Sequence, residues 1–286
     1  MPPFTPYSLN LCGQLYTINR PQVMGIINLT PDSFYAESRT PAAAHTAIAT
    51  RAAQLVAEGA DFIDVGAYSS RPGATDVSTH EELARLRAGI AAIRAGAPTI
   101  PLSVDTFRAE VAQACIEELG VAIINDIAGG TLDPNMYATV ARLGVPYVLM
   151  HLQGTPQTMQ QAPHYTDVAA DVLRHLAQRV DELHQLGVAD IIVDPGFGFG
   201  KTLAHNYTLL RHLAELHQLH CPVLVGISRK SMIYQPLGTT PQEALNGSTV
   251  LHTLALERGA HFLRVHDVRP AVEAVCLWQH THSLTS

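Results

Sequence analysis

Eight times along this chain a short apolar run gives way to a polar group, a loop and an amphipathic helix. The runs are residues 23–27, 61–65, 100–104, 121–124, 146–150, 190–193, 222–226 and 260–265. Ile191, Ile192 and Val193 show the type most clearly, apolar and β-branched with nothing polar between them. Such a run belongs to a strand buried on both faces, the usual state in a parallel sheet. Eight strands alternating with helices over 286 residues predict an α/β fold, a single (β/α)8 TIM-barrel domain spanning residues 1–286. A doubly wound open sheet would bring fewer strands or a dinucleotide signature, and neither is present.

Helix signals fill the intervals. Thr40-Pro41 places proline at a first helical position. Thr79 with Glu82, and Thr240 with Glu243, have capping-box spacing. Ala44, Ile48, Ala52, Leu55 and Val56 share one helical face. Asp133-Pro134 starts a further helix, and Gly59, Gly120, Gly144, Gly187 and Gly259 stand where left-handed caps are expected. Cys115 and Cys276 read as helix core. Ahead of the repeats, residues 1–20 predict a β-hairpin turning at Cys12-Gly13-Gln14 and closing one end of the domain. The polar segment 280–286 is expected to fray.

A net charge of −7 argues against a nucleic-acid or anionic membrane surface as the main partner. The four cysteines are scattered without a Cys-x-x-Cys pair, so neither a zinc ribbon nor a redox dithiol is indicated, and reduced thiols in the cytoplasm are the simplest reading. Residues 1–10 lack a signal peptide's basic start and apolar run, and no stretch reaches the length of a membrane span. Gly200-Lys201-Thr202 imitates the end of a phosphate-binding loop, but Pro195 stands where that motif needs glycine.

Barrel active sites lie at the C-terminal ends of the strands. Here those ends carry Asn28, then Ser70 and Arg71, Asp105, Asn125 with Asp126, His151 with Gln153, Asp194, Ser228 to Ser231, and finally Arg264 and His266. A barrel serving only as scaffold would not need a polar group on almost every strand, so one deep polar pocket is predicted. Asp105, Asn125 and Asp194 can accept from the N–H edge of a flat heterocycle, at roughly 1.5–3 kcal/mol per charge-assisted bond. Arg71, Lys230, Arg264 and His266 suit a phosphate or diphosphate. Ser231 would open a helix, another anion-favouring position. Phe34, Pro72 and Phe199 could cover an aromatic ring.

Blander roles compete for single members of this set. Asp126 reads better as a cap for the loop after its strand. His151 reads as a hydrogen-bonded wall residue. His212, His217 and His220 read as surface residues, since no carboxylate or thiolate completes a metal site with them.

Several segments together resemble the dihydropteroate synthases. They are Met24-Gly25-Ile26-Ile27-Asn28-Leu29-Thr30-Pro31-Asp32-Ser33-Phe34, Ser69-Ser70-Arg71-Pro72-Gly73-Ala74, Ser103-Val104-Asp105-Thr106 and Ile124-Asn125-Asp126-Ile127. Leu149-Met150-His151 with Gln153-Gly154-Thr155-Pro156, Asp194 to Lys201, Ser228-Arg229-Lys230-Ser231 and Arg264-Val265-His266-Asp267 complete the match, which runs from residue 23 to near the end.

The resemblance implies a transferase of folate biosynthesis. It would condense (7,8-dihydropterin-6-yl)methyl diphosphate with 4-aminobenzoate, giving 7,8-dihydropteroate and diphosphate, and sulfonamides would compete at the aminobenzoate site. It assigns the pterin to Asp105, Asn125, Asp194, Lys230 and Arg264. It assigns diphosphate to Asn28, Ser70, Arg71, Arg264 and His266, and aminobenzoate to Phe34, Pro72, Phe199 and Ser231. Asp105, Asp194, Lys230 and Arg264 would carry the catalytic role, Mg²⁺ would be the cofactor with Asn28 as its ligand, and a homodimer would form through barrel helices.

Two loops depart from the family pattern. Tyr68 stands where an acid is usual and Ser70 where threonine is usual, and Tyr35-Ala36-Glu37-Ser38-Arg39 replaces a Ser-Asp-Gly-Gly continuation. Two alternatives are a pterin-dependent corrinoid methyltransferase domain and a non-catalytic pterin-binding paralogue. The first would not need the Asn28, Arg71 and His266 set. The second draws its support from the altered loops.

Overall fold

A computed structural model describes residues 4–30, 41–68, 77–155, 159 and 163–283. The hairpin comes first, β1 (Tyr7–Leu11) against β2 (Gln14–Ile18), antiparallel with Leu11 opposite Gln14. Eight parallel strands follow: β3 (Gln22–Asn28), β4 (Phe62–Gly66), β5 (Leu102–Asp105), β6 (Ile123–Asp126), β7 (Tyr147–Met150), β8 (Ile191–Asp194), β9 (Leu224–Val225) and β10 (Phe262–Val265). Their order is β8-β7-β6-β5-β4-β3-β10-β9, and a parallel bridge between Val193 and Val223 joins the two ends into a barrel. The helices are α1 (Pro41–Ala57), α2 (Thr79–Gly96), α3 (Ala109–Leu119), α4 (Met136–Leu143), α5 (Val168–Gln185), α6 (Leu203–Arg211), α7 (Ser231–Tyr234), α8 (Leu245–Leu256) and α9 (Val268–Ser283), with a 3-10 helix at Leu213–Leu219.

Several strands begin later than predicted because proline lacks an N–H to donate. Pro101, Pro146 and Pro222 still accept at the ladder's edge, from Ile63, Ile124 and Val193 at 3.1, 3.1 and 2.9 Å. The seventh barrel strand shrinks most, from the expected 222–226 to Leu224–Val225.

Side-chain alternation sorts the core into two compartments. Ile63, Val104, Ile124, Val193 and Leu263 pack outward against the helices. Met24, Phe62, Ile123, Val148, Ile192, Leu224 and Phe262 fill the barrel interior, where Leu9, Leu11 and Ile18 of the hairpin join them. The hairpin therefore plugs the N-terminal end, and Asn10 N–H pins it to Asp190 at 2.8 Å. With that end sealed by apolar side chains, the C-terminal mouth is the open one.

Some local expectations change. Ser78, not Thr79, caps α2 by accepting from Glu81 N–H at 3.2 Å. That frees Glu82 to turn inward, where it is fully buried, accepts from Thr106 Oγ1 at 2.7 Å and pairs with Arg108. Glu243 does meet Thr240, at 3.5 Å, but in the turn before α8, whose N-cap Ala244 has no side-chain bond. A full capping box forms instead at Thr202 and His205 of α6. Cys115 is buried as expected, whereas Cys276 is exposed, because α9 turns Ala274, Val275 and Trp278 inward. His217 is half-buried against His261, ring centroids 5.4 Å apart, rather than on the surface. Residues 280–283 are helical rather than frayed, since His282 stacks on Trp278 at 4.2 Å and Thr281 Oγ1 bonds Trp278 O at 2.7 Å.

The Glu82–Arg108 pair ties the start of α2 to the start of α3, and Arg108 also bonds Val77 O at 2.7 Å. Burial pushes the Glu82 carboxyl up, and Thr106 and Arg108 hold it down. Arg108→Met would strand that carboxylate, so we expect a loss of about 3–5 kcal/mol in denaturant unfolding. Adding Glu82→Gln should recover most of the loss. A single variant as stable as the wild type would show the pair to be ornamental.

Candidate active site

Two residues above the apolar interior layer, the same alternation delivers polar groups. Phe62 is followed on the inner face by Asp64, Ile123 by Asn125, Ile192 by Asp194 and Phe262 by Arg264, while Asp105 follows Ser103 on β5. The register brings four strand ends level: Asn28 pairs with Gly66, Gly66 with Asp105 and Asp105 with Asn125. Gly66 has no side chain to intervene, and one built there would meet Asp105 Oδ2 at 3.7 Å and Asn28 Oδ1 at 3.8 Å.

Arg264 is the hub. Its Nε donates to Asp64 Oδ2 at 2.6 Å and its Nη2 to Asp105 Oδ2 at 3.0 Å. Asn125 Nδ2 also donates to Asp64 Oδ2, at 3.1 Å. That bond commits the amide nitrogen and leaves Asn125 Oδ1 as the acceptor available to a ligand. Asp194, buried at the end of β8, accepts Gly196 N–H through Oδ1 at 2.7 Å and keeps Oδ2 available. Lys230 donates to Phe197 O at 2.5 Å and holds its ammonium 4.6 Å from the Phe199 ring centroid, a cation–π contact. Acceptors on β4, β5, β6 and β8 thus share one mouth with the cations Lys230, after β9, and Arg264, on β10.

Burial dominates the ionisation of this cluster. It lifts the Asp105 carboxyl to about 7, against the pull of Arg264 and with further lift from Asp64. Asp194 is raised too, moderated by Lys230 and by Gly196 N–H. Lys230 falls to about 8, with Asp194 holding its charge. His266 sits on the exposed rim with Nδ1 3.2 Å from Ser228 Oγ. The protein around it and the Arg264 charge push its imidazole below the usual range, so near neutrality it acts as a neutral hydrogen-bonding group.

Other strand-end residues have different duties. Asp126 points outward and caps its own loop, accepting Ala128 N–H at 2.7 Å and Gly130 N–H at 2.8 Å, with Tyr147 Oη at 2.7 Å. Arg229 clamps Asp267 at 2.7 and 2.9 Å instead of facing the mouth. Ser231 opens α7, but α7 is four residues long, too short for the helix-terminus field expected there. His151 is a buried wall residue whose Nδ1 lies 3.0 Å from Lys201 Nζ. Tyr68, the departure from the family's acid, packs edge-on to Phe107 at 5.0 Å with Arg108 nearby. Phe34, Ser70, Arg71 and Pro72 lie outside the described residues, as do residues 35–39.

A pterin-binding enzyme family model matches residues 24–266, the span that contributes every strand of the barrel. The chain belongs to the dihydropteroate synthase family of pterin-binding enzymes. The dihydropteroate synthase of Escherichia coli K12 is 44% identical over 268 residues, 92% of each chain. Among solved structures, a Yersinia pestis dihydropteroate synthase in a sulfonamide drug complex superposes with a TM-score of 0.87 at 41% identity, covering 97% of this chain and 99% of that one. A Xanthomonas albilineans dihydropteroate synthase with 4-aminobenzoic acid gives 0.87 at 43% identity, covering 98% and 100%.

Three buried residues beside this mouth do not stand out in the sequence as site residues. Asp64 lies inside an apolar strand rather than at its end, although a lone acid in Phe62-Ile63-Asp64-Val65 is itself a signal that something must neutralise it. Glu82 has the spacing of a cap, which masks its inward role. Lys201 belongs to the false phosphate loop, yet it is buried and fully bonded.

Proposed function

We propose that the mouth holds the pterin of (7,8-dihydropterin-6-yl)methyl diphosphate and joins its methylene carbon to the amine of 4-aminobenzoate. The observation that carries this reading is the inward cluster of Asp64, Asp105 and Asn125, tied together by Arg264 and the Asn125 amide, with Asp194 and Lys230 at the same mouth. Free acceptor atoms on Asp105, Asn125 and Asp194 match the N–H edge of a pterin. Lys230 and Arg264 border the same ring.

In the reaction the methylene C–O bond breaks and diphosphate leaves with the electron pair. The carbon is then electron-poor and conjugated with the pterin. The aminobenzoate nitrogen forms the new C–N bond and gives up one proton. Asp105 and Asp194 stabilise the positive ring, an electrostatic contribution made by preorganised groups. Asn28, Ser70, Arg71, Arg264 and His266 receive the diphosphate. Two Arg264 nitrogens are already bonded to carboxylates, so its share of that anion falls to Nη1. Phe34, Pro72, Phe199 and Ser231 surround the aminobenzoate.

Mg²⁺ fits as a cofactor that arrives with the diphosphate. Asn28 offers one amide oxygen at the mouth, and no group of three His, Cys, Asp or Glu able to hold a metal exists among the described residues. Mg²⁺ commonly takes few protein ligands beside substrate phosphates and water. When bound it neutralises charge on the leaving group.

We extend the proposal to a cytoplasmic homodimer. No helix among the described residues is long and apolar enough to cross a membrane. The outer face of α8 exposes Leu245, Val250 and Leu254, and neighbouring α9 exposes Leu277, apolar surface of the kind a second copy would cover.

The test mixes the full chain with pterin diphosphate, Mg²⁺ and labelled 4-aminobenzoate. Labelled dihydropteroate should form, and chelation of Mg²⁺ should suppress it. Pterin binding without product at saturation would favour a non-catalytic paralogue, and methyl transfer to a corrinoid would favour the other alternative.

A further inference from the structure

Lys201 is buried, yet among the described residues no carboxylate forms an ion pair with it. Its three N–H donors go to three neutral acceptors: Gly196 O at 2.9 Å, Phe199 O at 3.0 Å and His151 Nδ1 at 3.0 Å. An ammonium group has three protons, so the set is complete. His151 can accept only if it is neutral with its proton on Nε2, and its pKa is held at about 2 by burial and by Lys201. Burial pulls the Lys201 ammonium down to about 7 and the Asp194 carboxylate holds its charge, so the position is costly, and a chain selected for stability would place an apolar residue there.

The loop explains the arrangement. Gly196 and Gly200 take φ of +70° and +57°, and a Cβ on them would fall 2.1 Å from His151 O and 2.9 Å from Gln153 O. The loop is thus folded hard against the end of β7, with Lys201 reaching back beneath it. Everything the loop offers the mouth depends on that fold: Gly196 N–H on Asp194, Phe197 O on Lys230 and the Phe199 ring facing the Lys230 ammonium. Lys201 grips the carbonyl of the residue whose ring makes that last contact.

We propose that Lys201 is a positioning residue, a buried amine whose hydrogen bonds fold residues 196–200 and set the Phe199 ring as the wall of the second-substrate site. The inference rests on the proposed placing of 4-aminobenzoate against Phe199. It goes beyond that reading by assigning the wall's geometry to a residue that touches neither substrate.

A double-mutant cycle in the full-length enzyme tests it, with the KM for 4-aminobenzoate as the readout at saturating pterin diphosphate. Lys201→Met should raise that KM about tenfold, and Phe199→Ala by a similar factor. In the Phe199→Ala background, Lys201→Met should add less than about twofold. Independent effects that multiply would overturn the proposal while leaving Phe199 in its site. A Phe199→Ala enzyme with the wild-type KM would overturn it by removing the wall itself. Failure of the wild-type enzyme to make dihydropteroate would instead sink the functional reading. Should Lys201→Met not fold, Lys201→Gln, which keeps a donor, takes its place in the cycle: coupled effects support the proposal and multiplying effects overturn it.

Discussion

Arg264→Met should reduce turnover by about a hundredfold to a thousandfold, the range found when one preorganised electrostatic donor is removed from an active site. The reason is on both sides of the side chain. Arg264 holds Asp64 and Asp105 at 2.6 and 3.0 Å, and it borders the space assigned to the pterin. Without it, the fully buried Asp64 loses its cation and stability should fall by about 3–5 kcal/mol. The pH dependence should change as well. Arg264 draws the Asp105 carboxyl down against burial, to about 7. Removing that pull raises the carboxyl further, so ionised Asp105 becomes available only at higher pH and the acid limb of the kcat profile moves alkaline. Steady-state kinetics across pH 6–9 check all of this. An unmoved acid limb would take Asp105 out of the rate-controlling ionisation, and a near-normal rate would take Arg264 out of the site.

Asp194→Asn should weaken pterin binding by about one to two orders of magnitude, equivalent to losing a charge-assisted bond of about 1.5–3 kcal/mol. The amide can still accept Gly196 N–H through oxygen, as Oδ1 does now at 2.7 Å, so the loop keeps its anchor. Its other edge then offers N–H protons toward a ring that also offers N–H protons. Lys230 compounds the loss. Its pKa of about 8 already reflects burial opposed by Asp194, and with that carboxylate gone it falls further, leaving more of the amine neutral at physiological pH. Calorimetric titration with a pterin measures the effect directly. Wild-type affinity would show that the carboxylate faces something other than the pterin edge.

Most of the barrel was legible because it rests on local signals. Each apolar run is bounded by turn residues, and caps such as Gly120 and Gly144 take the expected left-handed backbone. The errors come from positions where a tertiary partner outcompetes a local one. Glu82 has capping-box spacing from Thr79, but a half-buried arginine and a buried threonine offer it more than a helix end does. Cys276 has helical-core composition around it, but α9 buries one side only, and the cysteine falls on the other.

The candidate site divides in the same way. Asp105, Asn125, Asp194 and Arg264 could be picked out because polar groups at strand ends are conspicuous. Asn125 and Asp126 separate as well, Asp126 reading better as a cap for its loop, and the fold supplies the reason. They stand side by side, and the pleat sends one into the mouth and the other outward to Tyr147.

By itself, the sequence determined the number and order of the strands, the hairpin ahead of them and the polar character of their C-terminal ends. Those properties depend on neighbours within a few residues, so they can be read from spacing and residue type. Only the tertiary structure decided that Arg264 bridges Asp64 and Asp105, and that Lys201 folds its loop from beneath. Arg264 and Asp64 lie 200 residues apart in the chain, and Lys201 and His151 lie 50 apart. Barrel closure puts the first pair into contact, and the packing of the β8 loop against β7 makes the second.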